Sequence, residues 1–127
     1  MKKAKISQLL TVFVIVMLFS VSAALAKESS VTIQAPEKVA KGTDVTIVIT
    51  VSHNANNMFH YTEWAKVWVN GKEISRWDYS WNDRPESEVF KKEITYTVTE
   101  PLDITAEASC NLHGSVGPAT AHVDILE

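Results

Sequence analysis

The chain contains only one cysteine among its 127 residues, so it cannot form a disulfide within itself. An odd cysteine in an exported protein pairs with another chain, remains a free thiol at risk of oxidation, or binds a metal. The sequence also lacks a glycine-rich phosphate loop, which removes the usual signature of a nucleotide-binding enzyme. The unpaired cysteine is therefore the first candidate for a functional residue.

The first 26 residues have the pattern of a secretory signal peptide. Lys2, Lys3 and Lys5 precede an apolar run from Leu9 to about Leu25, and Ala24-Leu25-Ala26 forms a small-x-small cleavage site. We expect cleavage after Ala26 and export to the periplasm or the medium. The alternative is an uncleaved membrane anchor, because the run approaches the length of a membrane span. No second run of this kind follows.

Residues 27–127 remain after that cleavage, a length that fits one compact domain with a single core. The signal carries three lysines, so 9 basic residues are left against 15 acidic ones, a net charge of −6 with neutral histidines. An acidic surface repels phosphate groups, which argues against a nucleic-acid partner.

Alternating apolar and polar residues indicate about seven short strands and no helix. The pattern is clearest at 44–52, 60–69, 89–98 and 102–110, and Asn70-Gly71 is a strong hairpin signal between two strand-like segments. We take 31–34 as a first strand, 36–42 as a turn, 73–81 as the return strand of the hairpin and 121–125 as the last strand. The sequence predicts an all-β fold, an immunoglobulin-like antiparallel β-sandwich.

The segment Cys110-Asn111-Leu112-His113-Gly114 places a thiolate and an imidazole three residues apart at the end of a strand. His53 leaves one predicted strand and His60 enters the next, so the topology can bring all four side chains to one end of the sandwich. Thiolate and imidazole together suit a transition metal. The sequence thus predicts a metal site formed by His53, His60, Cys110 and His113. The alternatives are an inert buried thiol and exposed loop histidines.

Two segments carry a resemblance to a known family. Cys110-Asn111-Leu112-His113-Gly114 resembles the Cys-Asn-x-His-Gly signature of superoxide reductases, the desulfoferrodoxin and neelaredoxin group, and 60–64 is similar to its His-Tyr-x-Glu-Trp segment. The resemblance implies a mononuclear iron with Cys110 as axial ligand and His53, His60 and His113 as equatorial ligands. It further implies reduction of superoxide to hydrogen peroxide. Because no rubredoxin-like cysteine cluster is present, an external electron donor would be needed.

The chain departs from the family pattern at the N-terminal side. The family takes a fourth equatorial histidine from a Glu-Lys-His segment, whereas this chain has no histidine before His53, and Glu37-Lys38 is followed by Val39. The family's lysine beside the substrate therefore has no counterpart that can be assigned here. Beyond the four candidate ligands, the sequence identifies no catalytic residue.

Three other interpretations remain open. Three histidines and one cysteine also suit four-coordinate zinc. A copper-binding electron carrier of the cupredoxin type would use two histidines and the thiolate, with Met58 as the weak axial ligand. A non-catalytic binding module could use the aromatic residues of the hairpin, although we expect them to fill the core and shield the site. The aromatic residues are Tyr61, Trp64, Trp68, Trp77, Tyr79 and Trp81.

Overall fold

The computed structural model describes residues 28–127, which form two packed β-sheets without a helix in that part of the chain. The all-β prediction is confirmed, with eight strands where the sequence pattern predicts about seven. The predicted signal peptide, residues 1–26, lies outside the described residues. The strands are β1 (Ser30–Gln34), β2 (Lys38–Ala40), β3 (Thr43–Ser52), β4 (Thr62–Val69), β5 (Lys72–Asp78), β6 (Val89–Val98), β7 (Leu102–Cys110) and β8 (Ala119–Leu126).

The smaller sheet has the strand order β1-β3-β6 and the larger one the order β2-β8-β7-β4-β5. All neighbours pair antiparallel except β2 and β8, which are parallel. The hairpin between β4 and β5 turns at Asn70 and Gly71, whose φ angles of 50° and 80° are the positive values that this dipeptide tolerates. The predicted Asn-Gly hairpin is thus confirmed.

The core lies between the sheets and follows from the alternation within each strand. Every second residue of β3 points inward, and Ile47, Ile49 and Val51 are fully buried there. Opposite them, β7 contributes Leu102 and Ile104, which are equally inaccessible. Burying each such side chain contributes roughly 1.5–3 kcal/mol, so the alternating pattern drives the two sheets together.

Some elements begin or end differently from the prediction. The segment 36–42 is not only a turn, because Lys38–Ala40 pairs with Asp124–Leu126 as the short edge strand β2. β4 begins at Thr62, since a tight turn closed by reciprocal backbone hydrogen bonds between Asn57 and His60 precedes it. β5 ends at Asp78, because the backbone of Ser80 and Asp83 forms a second such turn.

The expectation that the aromatic hairpin residues fill the core is correct for only part of the set. Trp77 packs against the core, but Trp64 and Trp68 alternate with the buried residues of β4 and lie on the outer face of the larger sheet. The Lys66 ammonium lies 4.3 Å from the centre of the Trp64 ring. Trp81 is 56 % exposed. The outward position of Trp64 and Trp68 follows from the alternation of β4, in which the small Ala65 points inward.

Six strands begin or end at the same end of the sandwich, which we call the site end. β3, β5 and β7 finish there and β1, β4 and β6 start there, as the antiparallel registers require. The candidate ligands belong to the loops at this end. Among residues 28–127 there is no helix of the length and apolar character that a membrane crossing requires.

Candidate metal centre

Cys110 is the last residue of β7, and its side chain is held at the site end by a tight turn. The amide of Cys110 donates to the carbonyl of Gly114 at 2.8 Å, and the amide of Gly114 donates back at 3.0 Å. Gly114 has a φ of 76°, in the left-handed region that favours glycine. The Cys110 side chain is only 2 % exposed, so the turn presents a thiol that is nearly shielded from solvent.

Two backbone amides in this turn point at the Cys110 sulfur. The N–H groups of Leu112 and His113 each lie 3.4 Å from Sγ as donors. Because the sulfur accepts both, the turn stabilises negative charge there and favours the thiolate as a ligand. The Cys-x-x-His turn thus does two things: it places a second ligand, and it directs two backbone amides at the sulfur of the first.

His60 and His113 converge on this sulfur from two directions. His60 Nε2 lies 3.1 Å from Cys110 Sγ, and His113 Nδ1 lies 3.9 Å from the same atom. The two ring nitrogens are 3.2 Å apart. Three donor atoms within a few ångströms of one another are the arrangement that an ion would complete. His113 is exposed, so its ring connects the centre with the surface.

His53 supplies a further nitrogen donor, on a ring whose centre lies 4.6 Å from that of His60. Its ring is 6 % exposed, and its Nδ1 donates to the carbonyl of Ala55 at 2.8 Å. A carbonyl can only accept, so in the neutral ring the proton resides on Nδ1 and the lone pair on Nε2. His53 Nε2 is buried and has no hydrogen-bond partner among the described residues. A buried lone pair without a partner is costly, and a bound metal would satisfy it.

The donor atoms of His53, His60 and Cys110 all lie within 4.8 Å of one another. Burial lowers the pKa of His60 most, and the neighbouring charges of His53 and His113 lower it further. A neutral ring keeps its lone pair available for coordination. The structure therefore places His53, His60 and Cys110 in one group, which His113 adjoins through its contacts with His60 and Cys110. Nitrogen and sulfur donors of this kind fit a transition metal.

Asn111 positions His60, a role that the sequence analysis did not assign. Its side-chain oxygen accepts from the amide of Tyr61 at 3.0 Å, and its side-chain nitrogen donates to the carbonyl of Phe59 at 3.1 Å. The Asn111 amide also donates to the Tyr61 carbonyl at 3.1 Å. These three bonds flank His60 on both sides and fix it against Cys110. The asparagine within Cys-Asn-x-His was the available signal.

Other polar contacts stabilise the surrounding loops. The Asn57 side-chain oxygen accepts from the amides of Phe59 and His60 at 3.0 and 3.1 Å. Below the site, the buried hydroxyls of Ser29 and Thr62 are 2.7 Å apart and connect the N-terminal segment to the start of β4. These contacts order the backbone on which His60 sits before any ion is present.

His122 lies in β8, apart from this group. Its two ring nitrogens contact the carboxylates of Asp103 at 2.8 Å and Asp124 at 3.1 Å. In the sheet His122 pairs with Asp103 of β7. Asp103 precedes Cys110 by seven residues, so the two are roughly 23 Å apart along the strand. Glu37-Lys38 also lies towards that far end, beside Asp124. Neither segment can supply a further ligand.

Solved structures of similar fold include two superoxide reductases. The superoxide reductase (neelaredoxin) from Ignicoccus hospitalis is 20 % identical with a TM-score of 0.65, over 78 % of this chain and 83 % of that one. A putative superoxide reductase from Thermotoga maritima is 22 % identical with a TM-score of 0.60, over 77 % of this chain and 86 % of that one.

The same sandwich occurs in a protein described differently. The CARDB domain of a Pyrococcus furiosus protein in complex with di-metal ions is 19 % identical with a TM-score of 0.60, over 78 % of this chain and 94 % of that one. Identities this low show the shared fold and nothing more. The comparison with curated proteins gives no match.

The match to a family model shows the family of this chain, which the structural similarities alone do not show. The desulfoferrodoxin model matches residues 22–116, which include β1 to β7, the loop with His53 and His60, and the turn from Cys110 to Gly114. The resemblance of the two short motifs is thereby extended over most of the chain. This protein belongs to the desulfoferrodoxin family.

Proposed function

We propose that this chain is an exported redox protein that holds one iron ion through His53, His60, Cys110 and His113 and reduces superoxide to hydrogen peroxide. The observation that carries the proposal is the buried His53 Nε2, which has no partner and belongs to the cluster with Cys110 and His60. Membership of the desulfoferrodoxin family and the superoxide reductases among its structural relatives support the choice of iron.

Each residue has a distinct task in this proposal. Cys110 provides a thiolate whose charge the amides of Leu112 and His113 stabilise. His53 is oriented by its bond to Ala55, and His60 by the bonds that Asn111 makes to its neighbours. Such outer contacts fix the direction of each lone pair and so tune the affinity for the ion.

When bound, ferrous iron supplies one electron, which together with two protons converts one superoxide ion to hydrogen peroxide. The three imidazoles leave the donor set neutral apart from the thiolate, so the site retains positive charge that attracts the anionic substrate. The exposed side at His113 gives access from solvent, whereas Cys110 and His53 are buried. The electron is then restored by an external donor protein.

Zinc is the second candidate, because three nitrogens and one sulfur complete a tetrahedral set by themselves. In that case the centre would stabilise the loops and perform no redox chemistry. The copper alternative loses its weak axial ligand, since Met58 is 48 % exposed and lies on the surface of its loop.

The proposal is tested by loading the protein with ferrous iron under anaerobic conditions and adding superoxide from a pulse source. We expect one hydrogen peroxide per superoxide consumed and one ferric centre formed. A yield of one peroxide for every two superoxide ions, with oxygen as the second product, would instead indicate dismutation and contradict the proposed reaction.

A further inference from the structure

The site end carries an unusual concentration of exposed apolar side chains. Seven large apolar residues of the described chain are exposed, and six of them lie at this end. Phe59 is 75 % exposed and Leu112 61 % exposed, and both are immediate neighbours of candidate ligands. The other four at this end are Met58, Trp81, Val89 and Val116, whereas Leu126 lies at the opposite end.

Four of these six residues lie in two loops that carry no carboxylate, ammonium or guanidinium group. The sequence has no Asp, Glu, Lys or Arg at 53–62 or at 108–121, although 21 % of the chain is charged. We call the surface formed by Met58, Phe59, Leu112 and Val116 the apolar patch. A patch of exposed apolar side chains next to a functional centre marks an interaction site, because isolated monomers seldom expose such groups together. His113, which follows Leu112 in the chain, is also exposed.

Acidic residues border the patch on one side. The segment 83–88 carries Asp83, Glu86 and Glu88, with Arg84 as its single basic residue. It is attached to the ligand loop, because the Asn56 side-chain amide donates to the carbonyl of Pro85 at 2.7 Å and the backbone amide of His53 donates to that of Glu88 at 2.9 Å. The Arg84 guanidinium turns back to the carbonyl of Trp81 at 2.6 Å. This border is therefore net negative.

We propose that the apolar patch is the docking surface of a small basic electron-transfer protein, which exchanges electrons with the centre across the exposed edge of His113. This inference rests on the proposed redox function. Interface cores are depleted of charge and enriched in aromatic residues and methionine, as this patch is. The acidic border selects a partner with lysines around its own redox group. It also disfavours an anionic lipid surface, which would be repelled.

The balance of this exchange is one electron per encounter. The ferric centre left by superoxide reduction gains one electron, and the redox group of the partner loses it. Complexes of this type are small and short-lived, burying less than about 1,200 Å². A modest patch with a few apolar contacts is consistent with rapid release.

Cytochrome c serves as a basic electron-transfer probe, and amide chemical shifts of the isotope-labelled exported protein locate its binding site. The labelled protein is loaded with Zn²⁺, so that binding is measured without any redox reaction. Failure of the superoxide proposal thus leaves this test intact. We expect shifts at Phe59, Leu112 and Val116 that weaken as salt rises. Absence of shifts, or shifts on the outer sheet face around Trp64, would overturn the proposal.

Variants made in the full-length gene sharpen the test. Phe59→Ser and Leu112→Ser should each weaken binding of the probe to the Zn²⁺-loaded protein by about tenfold or more, as expected for central apolar anchors. Leu126→Ser is the matched control, because Leu126 is 55 % exposed at the other end, and it should bind as the wild type does. Equal affinity in all three would contradict the assignment.

Two further outcomes would assign the patch to another occupant. Binding to vesicles of phosphatidylcholine with one quarter phosphatidylglycerol, lost in Phe59→Ser, would identify a membrane surface. A concentration-dependent dimer in sedimentation experiments, likewise lost in that variant, would identify a second copy of the chain. Either result overturns the proposal of an electron-transfer partner.

Discussion

His60 Nε2 lies 3.1 Å from Cys110 Sγ, although 50 residues separate the two in the chain. β4 and β7 are antiparallel neighbours, and Thr62 pairs with Cys110, so the register of one strand pair brings these donors together. The contact therefore depends on the sheet as much as on the ligands. Changes to the ligands and changes to the contacts that hold them should therefore have different effects on metal binding.

Replacing Cys110 with serine tests the thiolate ligand. Cys110→Ser keeps the shape of the side chain but removes the sulfur, so the thiolate-to-metal charge-transfer band of the oxidised protein should disappear. Metal affinity should fall at least about tenfold. The absorption spectrum of the iron-loaded variant checks this. Ser109→Ala, at the neighbouring buried position, should retain the band. An unchanged spectrum in Cys110→Ser would refute the proposed ligation.

The histidines should separate into two groups in metal binding. His53→Ala, His60→Ala and His113→Ala should each reduce the metal bound after dialysis to well below one ion per chain. His122→Ala should retain the wild-type content, because His122 contacts Asp103 and Asp124 far from the centre. Elemental analysis of the four variants measures this. Loss of metal from His122→Ala would show that the donor set is wrongly assigned.

Asn111 should affect metal affinity without being a ligand. Asn111→Ala removes the side-chain bonds to Tyr61 and Phe59, so His60 is less firmly held and affinity should fall by about 10- to 100-fold. The charge-transfer band should persist at saturating iron, which distinguishes positioning from ligation. A competitive chelator titration measures the affinity. Asn54→Ala, at an exposed loop position, is the control. Equal affinities of the two variants would contradict the positioning role.

Tyr79 should make stability fall at alkaline pH. Burial, followed by the charges of Glu86 and Asp83, raises its pKa to about 12 from the usual 10.0. An unfolded tyrosine ionises near pH 10 while the folded one stays protonated, so the stabilisation is complete below 10 and is lost as pH rises towards 12. Urea midpoints should therefore drop between these values in the wild type.

Tyr79→Phe should lack this contribution to the drop and should keep its stability near neutral pH, because the buried hydroxyl has no hydrogen-bond partner among the described residues. Tyr96→Phe controls for the loss of one phenol elsewhere. If Tyr79→Phe and the wild type lost stability in parallel between pH 10 and 12, the raised pKa would be disproved.

His122 should stabilise the fold at the acidic side of neutrality. Its hydrogen bonds to Asp103 and then Asp124 raise its pKa above 6.5. A raised folded pKa contributes stability that is complete below 6.5 and is lost as pH rises through the folded value. Thus the gap in Tm between the wild type and His122→Gln should be largest near pH 6 and shrink as pH rises. Added salt should reduce the gap, and a gap that widens with pH would contradict the sign.

Much of the fold was predictable because alternation has a direct physical cause. Buried residues occur at every second position of β3 and over most of β7. The dipeptide Asn70-Gly71 predicts a hairpin turn, which the structure contains. The short strand β2 was missed, since three residues paired at a sheet edge show no periodicity. The outward position of Trp64 and Trp68 was also missed. Both faces of β4 carry apolar residues, so its pattern does not say which one is inside.

The candidate site was predictable in its residues and not in its contacts. His53, His60, Cys110 and His113 are chemically distinctive types at strand ends, which directed attention to them. The roles of Asn111 and Asn57 depend on side-chain hydrogen bonds across a 50-residue separation or within a turn, and asparagine is common in loops. The unpartnered nitrogen of His53 emerges only when the packing is known.

We expect Cys110 and the three histidines to hold iron in this protein. Elemental analysis of protein purified from its native host without added metal, followed by absorption spectra before and after oxidation, tests it most directly. We expect about one iron per chain and a thiolate-to-iron band that appears on oxidation. Stoichiometric zinc, or no bound metal and no band, would contradict it.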